Sequence, residues 1–274
     1  MQRLLGAGAD VELLARDVLR TDSPALAREL NDFDTLIHLG YRRPATSGYW
    51  SQLVDEVRFN VLETIRLLEA ATTAHIEQVC FASSVNVYPP PARGVSENGP
   101  VGGDVTPYAL AKLQQEDCLR HWARLNDRAA TVLRLATVYG PGETVGRAVP
   151  NFIRALLAGR APRVDGRGVM PFDLVYVDDV AEAFERALVR REGGVFNIGS
   201  GVGRTPRELA GILIQLFGAS CAIQEDLGAS ERGGAVCDVS LAERVLGFRA
   251  SMPLEDGLRA EIEWLQRMPL RWTA

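Results

Sequence analysis

Short apolar runs alternate along the chain with stretches in which apolar residues recur every three or four positions. Residues 35–39, 79–83, 131–135 and 172–177 are such runs and read as strands, as do residues 11–15. Residues 23–30, 49–71, 107–125, 148–158 and 180–190 read as helices. The first of these follows a capping pair, Asp22-Ser23. The second places Leu53, Val57, Val61, Ile65 and Leu68 on one stripe, and the third opens on Pro107. Strand-then-helix units in this order predict a parallel sheet with helices on both faces. After Gly142 the elements shorten and glycines separate them, which predicts a small α/β cap over the carboxyl edge of the sheet. Ligands of open α/β sheets bind at that edge.

Composition narrows the function classes. A chain of 274 residues is long enough for one α/β core and a cap. A net charge of −5 argues against nucleic acid or an anionic membrane as the main partner. Cys80, Cys118, Cys221 and Cys237 show no metal or redox spacing and read as reduced thiols of a cytoplasmic protein. His38, His75 and His121 form no ligand pattern, and no apolar run reaches membrane-spanning length. Of thirty basic residues, only Lys112 is lysine. Arginine replaces lysine freely on solvated surfaces but not where a compact ammonium is needed, so Lys112 is a candidate for chemistry. It stands one helical turn after Tyr108, and both side chains point to the same side.

Several motifs occur in a fixed order around this pair. They are Asp34-Thr35-Leu36-Ile37-His38-Leu39, Asn60-Val61-Leu62-Glu63-Thr64 and Ala82-Ser83-Ser84-Val85-Asn86-Val87-Tyr88. Then come Tyr108 with Lys112, Leu133-Arg134, Val138-Tyr139-Gly140-Pro141-Gly142, Tyr176-Val177-Asp178-Asp179-Val180-Ala181 and Phe196-Asn197-Ile198-Gly199-Ser200-Gly201. In this the chain resembles the extended short-chain dehydrogenase/reductases, in their NAD-dependent epimerase/dehydratase branch, from about Val11 to the C-terminus.

The resemblance implies a Rossmann-like core, residues 1–145 and 170–200, with a substrate cap, residues 146–169 and 201–274. It implies hydride transfer at a carbinol carbon of a sugar nucleotide or related polyol. Tyr108 is the expected general base, Lys112 its cationic partner, and Ser84 the residue that orients the reacting hydroxyl. Ser83 is the competing assignment, and the spacing to Tyr88 selects Ser84. The expected cofactor, NAD(H) or NADP(H), is assigned to Asp17, Val18, Leu39, Gly40, Asn60, Tyr108, Lys112 and Ala136. Substrate is assigned to Asn86, Thr137, Phe172 and Arg232. The resemblance also implies a homodimer through helices 49–71 and 107–125.

Three departures bear on function. Val85 and Asn86 stand where dehydratases of the family place an acidic pair, which favours epimerase or reductase chemistry. Phe172 stands where an arginine grips the diphosphate in sugar-nucleotide epimerases, leaving Arg232 for the other arginine position. The strand, Gly-rich turn and helix that cradle the pyrophosphate are missing from the sequence, and Leu5-Gly6-Ala7-Gly8-Ala9 reads as a helix-ending turn. The core is therefore expected to be N-terminally truncated. Asp17 falls near the ribose-binding acid in one alignment and at the adenine contact in the other. Residues 11–15 are expected to pair directly with 35–39 as a βαβ unit. Without the cradle, two other functions stay open: cofactor-independent isomerase, lyase or cyclase chemistry, and a non-catalytic binding relic.

Overall fold

The computed structural model describes residues 11–14, 17–89, 92–103, 105–230 and 233–268. Helix α1 (Ser23–Leu30) starts where the Asp22 carboxylate accepts the Ala25 N–H at 2.7 Å. After β1 (Thr35–His38), helix α2 (Tyr49–Glu56) continues through a π turn (Val57–Val61) into α3 (Leu62–Thr73). Then follow β2 (Gln78–Ser84), the 3₁₀ turn Val85–Val87 and β3 (Ala92–Val95). Helix α4 (Pro107–Asn126) opens on Pro107, with the Thr106 hydroxyl accepting the Ala109 N–H, and closes at left-handed Asp127. The chain continues through β4 (Ala129–Leu135), β5 (Thr137–Tyr139), α5 (Ala148–Leu157), β6 (Arg163–Asp165), β7 (Phe172–Tyr176), α6 (Val177–Arg190) and β8 (Gly194–Ile198). It ends with β9 (Gly203–Arg204), α7 (Pro206–Leu216), β10 (Gln224–Asp226), β11 (Ala235–Cys237), α8 (Ser240–Leu246) and α9 (Leu254–Arg267).

Among the described residues the central sheet runs β1-β2-β4-β8, all parallel. Its register pairs His38 with Phe81, Ser84 with Leu135, and Leu135 with Ile198. The carboxyl ends of the strands therefore meet at one edge. Both faces are covered, as parallel sheets require. On one face, Leu26, Leu67, Leu68, Leu119 and Trp122 from α1, α3 and α4 bury against Val79, Phe81 and Val132. On the other, Ala183, Phe184 and Leu246 from α6 and α8 bury against Cys80, Leu133 and Phe196. A third core joins α5, α7 and α9 through Phe152, Ile153, Leu209, Leu213 and Leu258. The fold is Rossmann-like α/β, as the alternation of runs predicted.

Two expectations need correction. Residues 11–14 form no strand, Ala15 lies outside the described residues, and among the described residues β1 pairs only with β2. The cause is where the chain is pinned next. Arg66 on α3 donates to the Leu19 carbonyl at 2.6 Å and to the Val18 carbonyl at 3.4 Å. The Val18 side chain is buried in the helix-side core. These contacts tie the turn before α1 to α3. The second correction concerns the long helix. Its π turn breaks the stripe, so Val61 and Leu68 face the core while Val57 and Ile65 face out. π turns of this kind often mark functional positions. The turn expected at Leu5–Ala9 and the residue Arg232 lie outside the described residues.

Candidate active site

The residues expected to carry the chemistry gather where β2 and α4 meet. Ser84, the last residue of β2, is 8% exposed, and its hydroxyl accepts the Asn86 N–H at 3.2 Å. Burial raises the Tyr108 pKa, and the nearby Ser84 hydroxyl holds that rise down. Arg147, at the start of α5, pulls the same pKa down, and Glu56 pushes it up. The neighbouring Ser83 turns the other way, into the core, and donates to Glu116 at 2.5 Å. Strand alternation separates the two serines, one on each face.

Lys112 is 4% exposed. Its ammonium donates to the Ala82 carbonyl at 2.9 Å and lies 4.5 Å from the Phe81 ring centroid, 5.7 Å from Tyr41 and 5.8 Å from Tyr108. Burial lowers its pKa to about 8, with Glu56 and Glu116 opposing the fall. The Tyr41 ring stands edge-on to Tyr108 with centroids 5.2 Å apart, and its hydroxyl donates to Glu56 at 2.8 Å. Glu56 is 2% exposed and also accepts from Asn60 Nδ2 at 2.7 Å.

Asn60 sits in the π turn. Its Nδ2 donates to the Arg42 carbonyl at 2.9 Å as well as to Glu56, and its Oδ1 accepts the Arg42 N–H at 2.8 Å. Every polar group of the Asn60 amide side chain is thus engaged in fixing the loop after β1. The Asn60 carbonyl accepts from Gln115 Nε2 at 3.2 Å and from the Thr64 hydroxyl at 3.0 Å, which ties α4 to the π turn. His38 donates or accepts at Thr64 across 2.8 Å, and burial depresses its pKa to about 3, so it is a neutral ring at physiological pH.

The remaining predicted residues are dispersed. Leu39 is 61% exposed and Gly40 is exposed beside it. Asp17 is exposed and faces Arg42 at 3.3 Å. Val18 gives its side chain to the core and its carbonyl to Arg66. Ala136 is buried, and its N–H donates to the Ile198 carbonyl at 2.8 Å, which seats it between the ends of β4 and β8. Thr137 opens β5 opposite Leu174, Asn86 is exposed just past Ser84, and Phe172 opens β7 opposite Arg204. The structure thus brings Ser84, Tyr108 and Lys112 together, and adds Tyr41 and Glu56 to them. The sequence patterns did not single out these last two. Glu56 reads as an ordinary solvated helix position, and only its spacing of four from Asn60 hints otherwise.

A parallel sheet ending in a Ser–Tyr–Lys group defines an enzyme of the short-chain dehydrogenase type. Residues 2–199 match the NAD dependent epimerase/dehydratase family, and the chain belongs to it. The UDP-glucose 4-epimerase of Mycolicibacterium smegmatis is 34% identical over 268 residues, which span 93% of this chain and 83% of that protein. The dTDP-glucose 4,6-dehydratase of Streptomyces griseus is 30% identical over 247 residues, 87% of this chain and 74% of that protein. The solved structure of MoeE5 in complex with UDP-glucose and NAD superposes with a TM-score of 0.85 at 30% identity, covering 97% of this chain and 93% of that one.

The reacting end fits the nicotinamide ribose of the family's cofactor. An ammonium carries three donors, and Lys112 spends one of them on Ala82 among the described residues. Two donors beside Tyr108 match the needs of a ribose diol.

Proposed function

We propose that this enzyme epimerises a nucleotide-activated sugar at a carbinol carbon, with Ser84, Tyr108 and Lys112 as its acid–base set. The observation that carries the reading is the meeting of these three side chains at the carboxyl end of β2, with Lys112 held on the Ala82 carbonyl and 5.8 Å from the Tyr108 ring. Tyr108 takes the proton of the reacting hydroxyl and later returns it. Ser84 holds that hydroxyl in line with the Tyr108 oxygen. Lys112 keeps a positive charge beside the developing phenolate and donates to the cofactor ribose. NAD(H), when bound, supplies the hydride acceptor and donor. Val85 is buried and Asn86 carries no acidic proton, so the positions after Ser84 offer no acid for eliminating water. This supports epimerase or reductase chemistry over dehydration.

Substrate contacts are assigned to Asn86, Thr137, Phe172 and Arg232, and cofactor contacts to Leu39, Gly40, Ala136 and the Asp17-Val18 turn. The homodimer is assigned to α2, α3 and α4. Trp50 (76% exposed), Val54 (64%) and Ile65 (46%) form an outward apolar stripe along the first two of these helices, which supports that assignment.

A second reading, acid–base isomerisation without nicotinamide, draws support from the front of the core. There Asp17, a candidate cofactor contact, is engaged by Arg42 at 3.3 Å. One pair of measurements separates the readings. Calorimetric titration with NAD and with NADP is expected to give saturable heat with one of them. UDP-glucose incubated with that cofactor is expected to yield UDP-galactose. Turnover of a sugar nucleotide with no dinucleotide heat, and no added or carried cofactor, would establish the second reading instead.

A further inference from the structure

Glu56 is a charged side chain at the heart of the site that the acid–base scheme leaves without a task. It is 2% exposed, yet it lies on a helix with solvent on its other side. Burying a carboxylate is costly unless it is hydrogen-bonded and faces a cation. Glu56 has two side-chain donors, Tyr41 at 2.8 Å and Asn60 at 2.7 Å. Tyr41 in turn presents its ring to Lys112 at 5.7 Å and to Tyr108 at 5.2 Å. The carboxylate is thus held one tyrosine ring away from the ammonium.

We propose that Glu56 is a positioning residue: its carboxylate is the fixed counter-charge of Lys112 and the anchor that holds Tyr41 against Lys112 and Tyr108. The proposal rests on the reading of Lys112 as the partner of Tyr108. Groups on every side of Lys112 fit the assignment. On its own helix stand Tyr108 and Glu116, whose carboxylate is already clamped by Arg134 at 2.7 Å. From β1 comes His38, held neutral by burial, and from the loop after it Tyr41. From β2 come the Phe81 ring and the Ala82 carbonyl. Glu56 is therefore the one carboxylate facing Lys112, among the described residues, that is not also paired with an arginine guanidinium. Burial drags the ammonium toward neutrality, and Glu56 is the larger of the two opposing influences.

The test uses the fact that the chain has a single lysine. Protein grown with lysine carrying ¹³C at Cε gives one side-chain resonance, and its shift against pH titrates Lys112 directly. The wild-type midpoint is expected near 8. In Glu56→Gln it is expected to fall by about one unit, a tenfold loss of proton affinity. Glu56→Asp, which keeps the charge, is expected to recover at least half of the shift. Glu56→Leu serves as a second charge-free variant should the glutamine protein not fold. A charge-free variant that folds and titrates within about 0.2 unit of wild type overturns the proposal. So does an aspartate variant that titrates with the charge-free one. The readout needs no activity, so the proposal and the acid–base reading fail separately. Full turnover by Tyr108→Phe would sink the acid–base reading while leaving the Lys112 titration as it is.

Discussion

The two ends of the proposed cofactor groove are built to different standards. At the reacting end, the serines, Lys112 and Glu56 are buried and held by hydrogen bonds. Lys112 is bonded to Ala82, Ser83 to Glu116, Ser84 to Asn86, and Glu56 to both Tyr41 and Asn60. At the front, Asp17 meets Arg42 in an exposed pair, Leu39 is 61% exposed, and β1 has no strand on its outer side among the described residues. The difference teaches where the sequence places its constraints. Preorganisation is concentrated around the atoms that move a proton, because geometry there sets the barrier. Recognition of the distal half of a dinucleotide tolerates a looser wall.

The sharpest way to break this contrast is to remove the proton carrier. Tyr108→Phe keeps the ring and its packing against Tyr41 but loses the acid–base hydroxyl. A fall in kcat of roughly 10²–10⁴ is expected, with an unchanged circular-dichroism spectrum. Steady-state assay of sugar-nucleotide turnover checks it. Retention of more than about a tenth of wild-type activity would mean that the built end is not the reacting end.

Next in size is the buried pair beneath the site. Arg134 meets Glu116 in a bidentate contact, Nε to Oε1 at 3.0 Å and Nη2 to Oε2 at 2.7 Å, with side chains 4% and 1% exposed. Arg134 also donates to the Tyr88 hydroxyl at 2.9 Å, and that hydroxyl donates to Asn197 at 2.7 Å. Arg134→Met strands the Glu116 carboxylate and is expected to cost about 3–5 kcal/mol, read as a lower urea midpoint. Arg134→Met with Glu116→Leu is expected to regain part of that loss, because no uncompensated charge remains. Equal stability of the single and double variants would show that the charge is not what holds this end rigid.

Much of this architecture is legible in the sequence, and the exceptions have physical reasons. The strands and helices follow from local periodicity, which is why α1 and α4 start where Asp22 and Thr106 cap them. The Ser84, Tyr108 and Lys112 group is legible because its members are fixed by spacing within β2 and α4. Glu56 and Tyr41 are not, because the burial of Glu56 and the placement of Tyr41 beside it depend on a π turn and a loop that only tertiary packing defines. The pairing of residues 11–15 failed for the same kind of reason. It turned on contacts from another helix, where Arg66 ties the Val18–Leu19 turn to α3.

The Glu143–Glu261 pair and His38 differ in their response to pH. Glu261 on α9 is fully buried and accepts the Gly140 N–H of the loop after β5 at 2.9 Å. Burial raises its carboxyl pKa to about 8, and Glu143 in that loop adds to the rise. Burial likewise raises Glu143 to about 7, against the pull of Arg147 and Arg154. Both groups lose their protons in the unfolded chain near 4.5, so the native state binds more protons between that value and about 8. Stability from this pair is therefore present at low pH and is lost as pH rises. His38 acts oppositely, its pKa falling from 6.5 to about 3 on folding, so its contribution grows up to pH 6.5. Above pH 6.5 the His38 contribution no longer changes, and Lys112, depressed to about 8, opposes the carboxylates only toward pH 8, so a net fall on the order of 1 kcal/mol is expected between pH 6.5 and 8. Urea melts across that window check it. Glu261→Gln is expected to flatten the dependence, and an unchanged slope in that variant would remove Glu261 from the account.

The smallest effect is expected at the front, and it tests the contrast most directly. Asp17 is 37% exposed at its side chain, and its ion-pair partner Arg42 is half-exposed as well. Exposed pairs contribute about 0–1 kcal/mol, and a carboxylate so placed is already spoken for by its neighbour. If the front is a loose wall, Asp17→Ala changes the dissociation constant for NAD by less than about threefold, which is roughly 0.7 kcal/mol. Calorimetric titration of the wild type and the variant decides it. A loss of tenfold or more would show that Asp17 grips the cofactor despite its exposure, and that the front is built to the same standard as the reacting end.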